Sequence, residues 1–370
     1  MKKNLLLLLT LMLSTGVLNA QTTTNYGASS GTQGDYNSFF GNYAGNHIST
    51  AGYNTFVGYT SGYNTTIGDA NVFLGSQAGY FNTEGERNVF IGHQSGNFNT
   101  TGSKNVFSGF YAGRKNTTGG VNVFIGNNAG YSNLTGSSNV FLGFSSGYFN
   151  TSGEGNIGIG SYAGDKNSTG NHNVSMGASA GFNNTSGSGN LFLGYNAGFN
   201  TTGNYNVFLG WKAGFNETGS NKLYIDNTDA AIPLVYGDFS SDQLGINTNT
   251  IPVGYTFAVK GKMIAEELKI QVFPWSDFVF EKSYPLPTLA EVEKFINKKG
   301  HLQNIPNAEE VAKNGISVGQ MNAKLLQKIE ELTLYTIQQQ KEIQQQKEIN
   351  KNLEERLQKI EALLTQHQSN

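Results

Sequence analysis

Cysteine is absent from the 370 residues. No disulfide can staple the chain, so its stability has to come from burial and from backbone ladders. Charge is scarce in the first part: thirteen charged residues lie between Gln21 and Ser220, against thirty-five between Asn221 and Asn370. The net charge is −2 and no dense basic region exists, which argues against a nucleic-acid partner. No apolar run after the N-terminus could span a bilayer, so no transmembrane segment is expected. His47, His93, His172, His301 and His367 are scattered without ligand spacing, and no metal or cofactor is expected. Acidic residues in the first part are too few for a paired-carboxylate site, and enzyme activity is not expected there.

The N-terminus has its own grammar. Met1-Lys2-Lys3 precedes an apolar run from Leu5 to Leu13, broken only by Thr10, and Val17-Leu18-Asn19-Ala20-Gln21 follows. A basic start, a short apolar core and a small residue before the break describe a secretory signal peptide over 1–20, cleaved after Ala20. The expected location is therefore secreted, extracellular or at the cell surface. No cysteine near the cut supports a lipid anchor.

What the chain has in abundance is repetition. The block Asn-Val-Phe-(Leu/Ile)-Gly, or a variant, starts at Asn37, Asn54, Asn71, Asn88, Asn105, Asn122, Asn139, Asn156, Asn173 and Asn190, a constant step of 17, and again at Asn206, one residue early. A fixed short period signals a solenoid. Each block reads as a strand, followed by Ala-Gly or Ser-Gly at a corner and by an Asn-Thr-Thr-Gly turn such as Asn99 to Gly102. The expected fold is mainly β: a solenoid, a β-roll or β-helix, of eleven coils over 37–220. Residues 21–36 form a cap or linker before it and 221–273 a small β neck after it.

Strand alternation sends the second and fourth residues of each block to one face and the third to the other. The third position holds Phe73, Phe90, Phe107, Phe124, Phe141, Phe192 and Phe208, interrupted by Gly158 and Ser175; the other two are mostly aliphatic. At about 4.8 Å per coil, eleven coils make a stripe roughly 50 Å long. Strands apolar on both faces are normally buried on both. One stripe is therefore expected to fill the coil and the other to pack against neighbouring subunits, with the phenylalanines as oligomer contacts. The alternative is a coil whose several sides let one chain cover both stripes.

Several apparent motifs dissolve into the period. Asn-X-Thr/Ser sequons recur because the turn needs them. Gly143-Phe144-Ser145-Ser146-Gly147 and Gly158-Ile159-Gly160 lack the strand-to-helix context of a nucleophile elbow or dinucleotide loop. The turns lack the aspartate of the calcium-binding nonapeptide.

Asn-Val-Phe-Leu-Gly-x-x-Ala-Gly with Asn-Thr-Thr-Gly turns resembles the head repeats of trimeric autotransporter adhesins and related bacterial and phage fibre proteins. That resemblance covers 37–220 and implies trimeric left-handed β-rolls. The repeat here is longer, and the membrane-anchoring barrel of those adhesins is not expected from this sequence.

After the neck, 274–316 reads as short helices. Thr288-x-x-Glu291 is a capping box opening a helix to about Lys299, stopped by Gly300, and Asn307-x-x-Glu310 opens another that ends at Gly315. Within the neck, Ile264 to Ile270 suggests a further strand. From about Ser317 the pattern is one long helix, a coiled coil over 317–370. Ile329, Ile343, Leu357 and Leu364 fall at a; Leu325, Leu332, Leu353 and Ile360 fall at d. Trp275-x-Asp277-Phe278-Val279-Phe280-Glu281, His301-Leu302-x-x-Ile305-Pro306 and Met321-x-x-Lys324-Leu325-Leu326 resemble the C-terminal part of Bacteroidetes-type surface and tail-fibre-like proteins. The layout is similar to the intramolecular chaperone of endosialidase-type fibres (peptidase S74), which cuts itself off before a Ser-Asp-x-Arg-x-Lys motif. Ser276 and Asp277 match its start, as weak catalytic candidates, but Phe278, Val279 and Phe280 replace the basic remainder.

The expected function is a secreted or cell-surface structural, adhesin-like fibre. The expected partners are its own copies, as a homotrimer, and a surface glycan or a host or matrix protein. Tyr80-Phe81, Asn97-Phe98, Tyr148-Phe149 and Trp211 are candidate contacts, or packing between turns. The alternative function is a self-cleaving chaperone or a β-helical carbohydrate-active protein.

Overall fold

The computed structural model describes residues 24–27, 30–271 and 275–368; the expected signal peptide lies outside them. The chain forms two compact units, one up to Met263 and one from Ile264.

The first unit is a solenoid built on one sixteen-stranded sheet whose strands lie in chain order. Three-residue strands β2 (Ser38–Phe40) through β12 (Val207–Leu209) pair in parallel. The register advances by one period per coil, Val72↔Val89 and Val89↔Val106. Eleven coils underestimate the stack, which has about 13 turns. The expected cap supplies β1 (Thr24–Tyr26), parallel to β2, and the decayed repeat supplies β13 (Lys222–Ile225), parallel to β12. The neck continues the same sheet: β14 (Val235–Asp238) and β15 (Gln243–Ile246) run antiparallel, and β16 (Phe257–Val259) returns parallel to β15. The strand expected over 264–270 does not form. Adjacent Glu266 and Glu267 break its alternation, and it ladders with no described strand.

Each coil is closed by its first residue. The backbone N–H of Asn71 donates to Asn54 Oδ1 at 2.8 Å, and Asn71 Nδ2 donates to Gly85 O at 2.8 Å. One buried side chain thus ties the start of a coil to its end and to the next coil, and the pattern repeats through Asn88, Asn105, Asn122 and Asn139. A second asparagine column lies at the Asn-Thr-Thr-Gly turn. Nδ2 of Asn99, Asn116, Asn133 and Asn150 donates to Oδ1 of the asparagine one coil earlier, at 2.6–2.7 Å. Buried amides in such chains satisfy one another and leave no polar group stranded. Where the column begins late or stops, orphans appear: Thr65 Oγ1, Thr201 Oγ1 and Asn150 Oδ1 have no hydrogen-bond partner.

The short coil from Asn190 to Tyr205 absorbs its missing residue in this turn. Asn190 Nδ2 still reaches Gly203 O at 3.0 Å, so the strand register survives.

The corner after each strand needs glycine for two reasons. Gly113 sits at φ +58, and a Cβ there would lie 2.5 Å from the Phe107 ring. The ring fills the space that the missing side chain leaves.

The second unit holds a 3₁₀ turn (Ser276–Phe280) and three helices. Helix α1 (Leu289–Lys299) opens on a capping box formed by Thr288 and Glu291 and closes on left-handed Gly300. Helix α2 (Ala308–Asn314) opens on the box of Asn307 and Glu310. Helix α3 (Val318–Gln368) runs for 51 residues, about 75 Å at 1.5 Å per residue.

Candidate self-association surface

Two apolar surfaces compete for attention in the solenoid, and the structure separates them. Phe73, Phe90, Phe107, Phe124, Phe141, Phe192 and Phe208 are all at most 2% exposed. Their rings stack inside the coil, Phe90 on Phe107 at 4.8 Å and Phe107 on Phe124 at 4.7 Å, nearly parallel. Enclosed by their own chain, they present nothing to another copy, so the expectation that they are oligomer contacts is corrected. The Ala-Gly corner opposite each ring leaves the room that lets a single chain cover it.

The aliphatic stripe takes the outer position. Second-position residues are half-buried, and Phe40, Val57, Ile91, Ile125, Met176 and Leu193 at the fourth are 37–46% exposed. They form a band along the sheet, with Phe110, Phe144, Tyr195 and Trp211 exposed two residues further on. Large contiguous apolar patches on a protein surface commonly mark interaction sites.

Most of the candidate contact aromatics pack from coil to coil, while Phe149 meets only Tyr148 of its own coil, edge to face. Phe81 stacks on Phe98 at 5.2 Å and Tyr148 on Tyr131 at 4.8 Å, while Tyr195 lies 6.4 Å from Trp211. Stacked rings turn their edges outward, which leaves little open face for a sugar. Arg114 lies over Phe98, Tyr111 and Tyr131 and donates to Gln94 Oε1 and Tyr131 Oη. It is fully engaged within the coil stack.

The ring column is broken once. Gly158 and Ser175 replace phenylalanine in consecutive coils, leaving a cavity of about 10 Å3 lined by Phe141, Asn156, Asn167 and Asn173 among others. The last ring of the lower stack, Phe141, tilts 18° from Phe124, where successive rings from Phe56 to Phe124 are within 6° of parallel. In the same coil Asp165 takes the place of the Tyr148 and Phe182 that occupy its position in the coils on either side. Burial pushes its carboxyl up to about 6, against a smaller opposing pull from Lys166.

On α3 the chain covers one side and leaves the other bare. Counting Ile329 as a, Ser276 Oγ donates to the carbonyl of Ala323, at b, at 2.5 Å. Tyr284 Oη donates to Glu331, at c, at 2.5 Å, and Gln327, at f, donates to both. Tyr335 Oη, at g, donates to Pro287 O. Burial would raise the Glu331 carboxyl, but the bonds from Lys328, Tyr284 and Gln327 outweigh it and hold it below its ordinary value. Burial, then the Glu331 carboxylate, push the Tyr284 hydroxyl up. The segment 276–287 therefore wraps b, f, c and g in turn. The a and d residues Leu325, Ile329, Leu332, Ile343, Leu353, Leu357, Ile360 and Leu364 stay 43–63% exposed.

Ser276 is placed for structure. It is buried, and its hydroxyl is spent on the Ala323 carbonyl rather than aimed at a base; Asp277 is exposed beside it. A serine without an adjacent base is a poor nucleophile. Among the described residues no cluster of histidine, aspartate or glutamate could hold a metal, and no helix is long and apolar enough to cross a membrane.

Compared with protein-family models, curated proteins and solved structures, the chain gives no match. The adhesin-head and tail-fibre resemblances thus rest on the repeat and the motifs alone.

Proposed function

We propose that this protein is a secreted or cell-surface structural fibre of adhesin-like type. Its solenoid is a rigid head or spacer, and three copies join through the aliphatic face of the sheet and the bare seam of α3. The observation that carries the reading is the aliphatic band, which runs along the sheet while the aromatic stripe is already enclosed. Each half-exposed Val, Ile or Leu withdrawn from water contributes roughly 1 kcal/mol, and a row of them favours association strongly. The seam supports the same reading, because a helix that uses b, f, c and g for its own chain keeps a and d for others. Polar Thr336, Gln339, Gln346 and Asn350 in that seam would fix register at some cost in strength. Three copies multiply a weak contact to a surface glycan or matrix protein.

Sedimentation equilibrium on the mature chain tests this. A trimer at micromolar concentration is expected, with Ile91→Lys plus Ile125→Lys weakening it while circular dichroism keeps its β signature. A monomeric wild type would overturn the reading.

A further inference from the structure

Helix α1 is a puzzle taken by itself. It has eleven residues and caps at both ends, yet none of them is buried. Isolated helices of this length are marginal in water. Its apolar residues Leu289, Val292 and Ile296 fall at i, i+3 and i+7, one stripe of the helix. That stripe faces a groove of about 440 Å3 whose other wall is Leu325, Ile329 and Leu332 of α3. The groove is apolar, and the charges on its lining, Lys328 and Glu331, pair with each other at 2.8 Å. An acidic or basic ligand finds no free counter-charge there.

We infer that this groove holds the long helix of a second copy, so that α1 of one subunit clasps α3 of the next. The inference rests on the trimeric reading above and names what α1 does in it. Three observations select the occupant. The far wall of the groove is the seam itself, and the same a and d series continues beyond it to Leu364. In a parallel, in-register assembly the same heptad of the next copy arrives at the same height by symmetry. Finally, α1 stands on the g flank, beside Lys328 and Tyr335, and the g flank of one helix faces the e flank of its neighbour. At this height e is Leu326; in every later heptad it is polar: Thr333, Gln340, Lys347, Glu354 and Glu361. On the e flank, the one the clasp would meet, α3 is thus apolar where the groove stands and polar further along, while the opposite g flank carries Ile349 and Leu363 in later heptads. A clasp there needs that extra leucine; a plain two-residue seam does not.

Because the chain has no cysteine, pairs can be introduced cleanly. Two differently tagged copies, one Val292→Cys and one Leu326→Cys, are co-expressed and oxidised. A disulfide-linked dimer carrying both tags is expected. No mixed-tag dimer in a preparation that still sediments as a trimer would overturn the clasp and leave the trimer standing; a monomeric wild type would overturn both. A second variant guards against local misfolding. Leu289→Lys with Ile296→Lys changes two exposed residues, and an assembly at least about tenfold weaker is expected. An unchanged dissociation constant would overturn the clasp.

Discussion

Asparagine is the residue on which the solenoid turns. The sequence suggests turn-forming asparagines, and the turns are there. What the pattern hides is that the first asparagine of each coil is buried and closes it, donating to Gly119 O and accepting from the Asn122 N–H in the case of Asn105. No propensity scale encodes a bond between residues fourteen positions apart. Asp165 is the residue whose cost varies with pH. An acid whose folded pKa is raised favours the folded state when protonated. The penalty is absent below its unfolded value near 3.8, grows as pH rises, and is complete above about 6. The melting temperature is therefore expected to fall between pH 4 and pH 7 by an amount that Asp165→Asn removes. An identical pH profile for the variant, followed by thermal denaturation, would show that the carboxyl is not the source.

At the scale of the element, the coil is a unit that meets only its two neighbours. Deleting residues 105–121 removes one whole coil and should leave a folded solenoid with the same circular dichroism and a modest change in melting temperature. Deleting eight residues from the same place should abolish folding, because the asparagine columns would miss their partners. The period and the strand were legible in the sequence because both are local: a step of 17 and an alternation of two. The capping boxes of α1 and α2 were legible for the same reason. Which stripe lies inside was not. Both are apolar, and the choice is made across the coil by corners such as Gly113, whose absent side chain makes room for the Phe107 ring. The aliphatic band was missed as the outward-facing stripe for that reason. The clue that could have found it is size: a large ring in the same register as a small Ala-Gly pair.

For the molecule as a whole, the break in the ring column divides the solenoid. Phe39 to Phe141 form one buried cluster, and Phe192, Phe208 and Tyr224 belong to another. Between them Gly158 and Ser175 contribute no ring, so the coils there have the least apolar surface to lose on opening. Hydrogen exchange should find the amides of residues 157–176 opening faster than those of 89–125. Equal protection across both stretches would mean that the asparagine columns alone set the stability. The sheet's hydrogen bonds run from coil to coil, parallel to the long axis of the stack. A tether pulling on the two ends would therefore load these rungs one after another rather than together. Such a rod yields at its weakest line, and it would part first between Phe141 and Phe192, sparing the coils on either side.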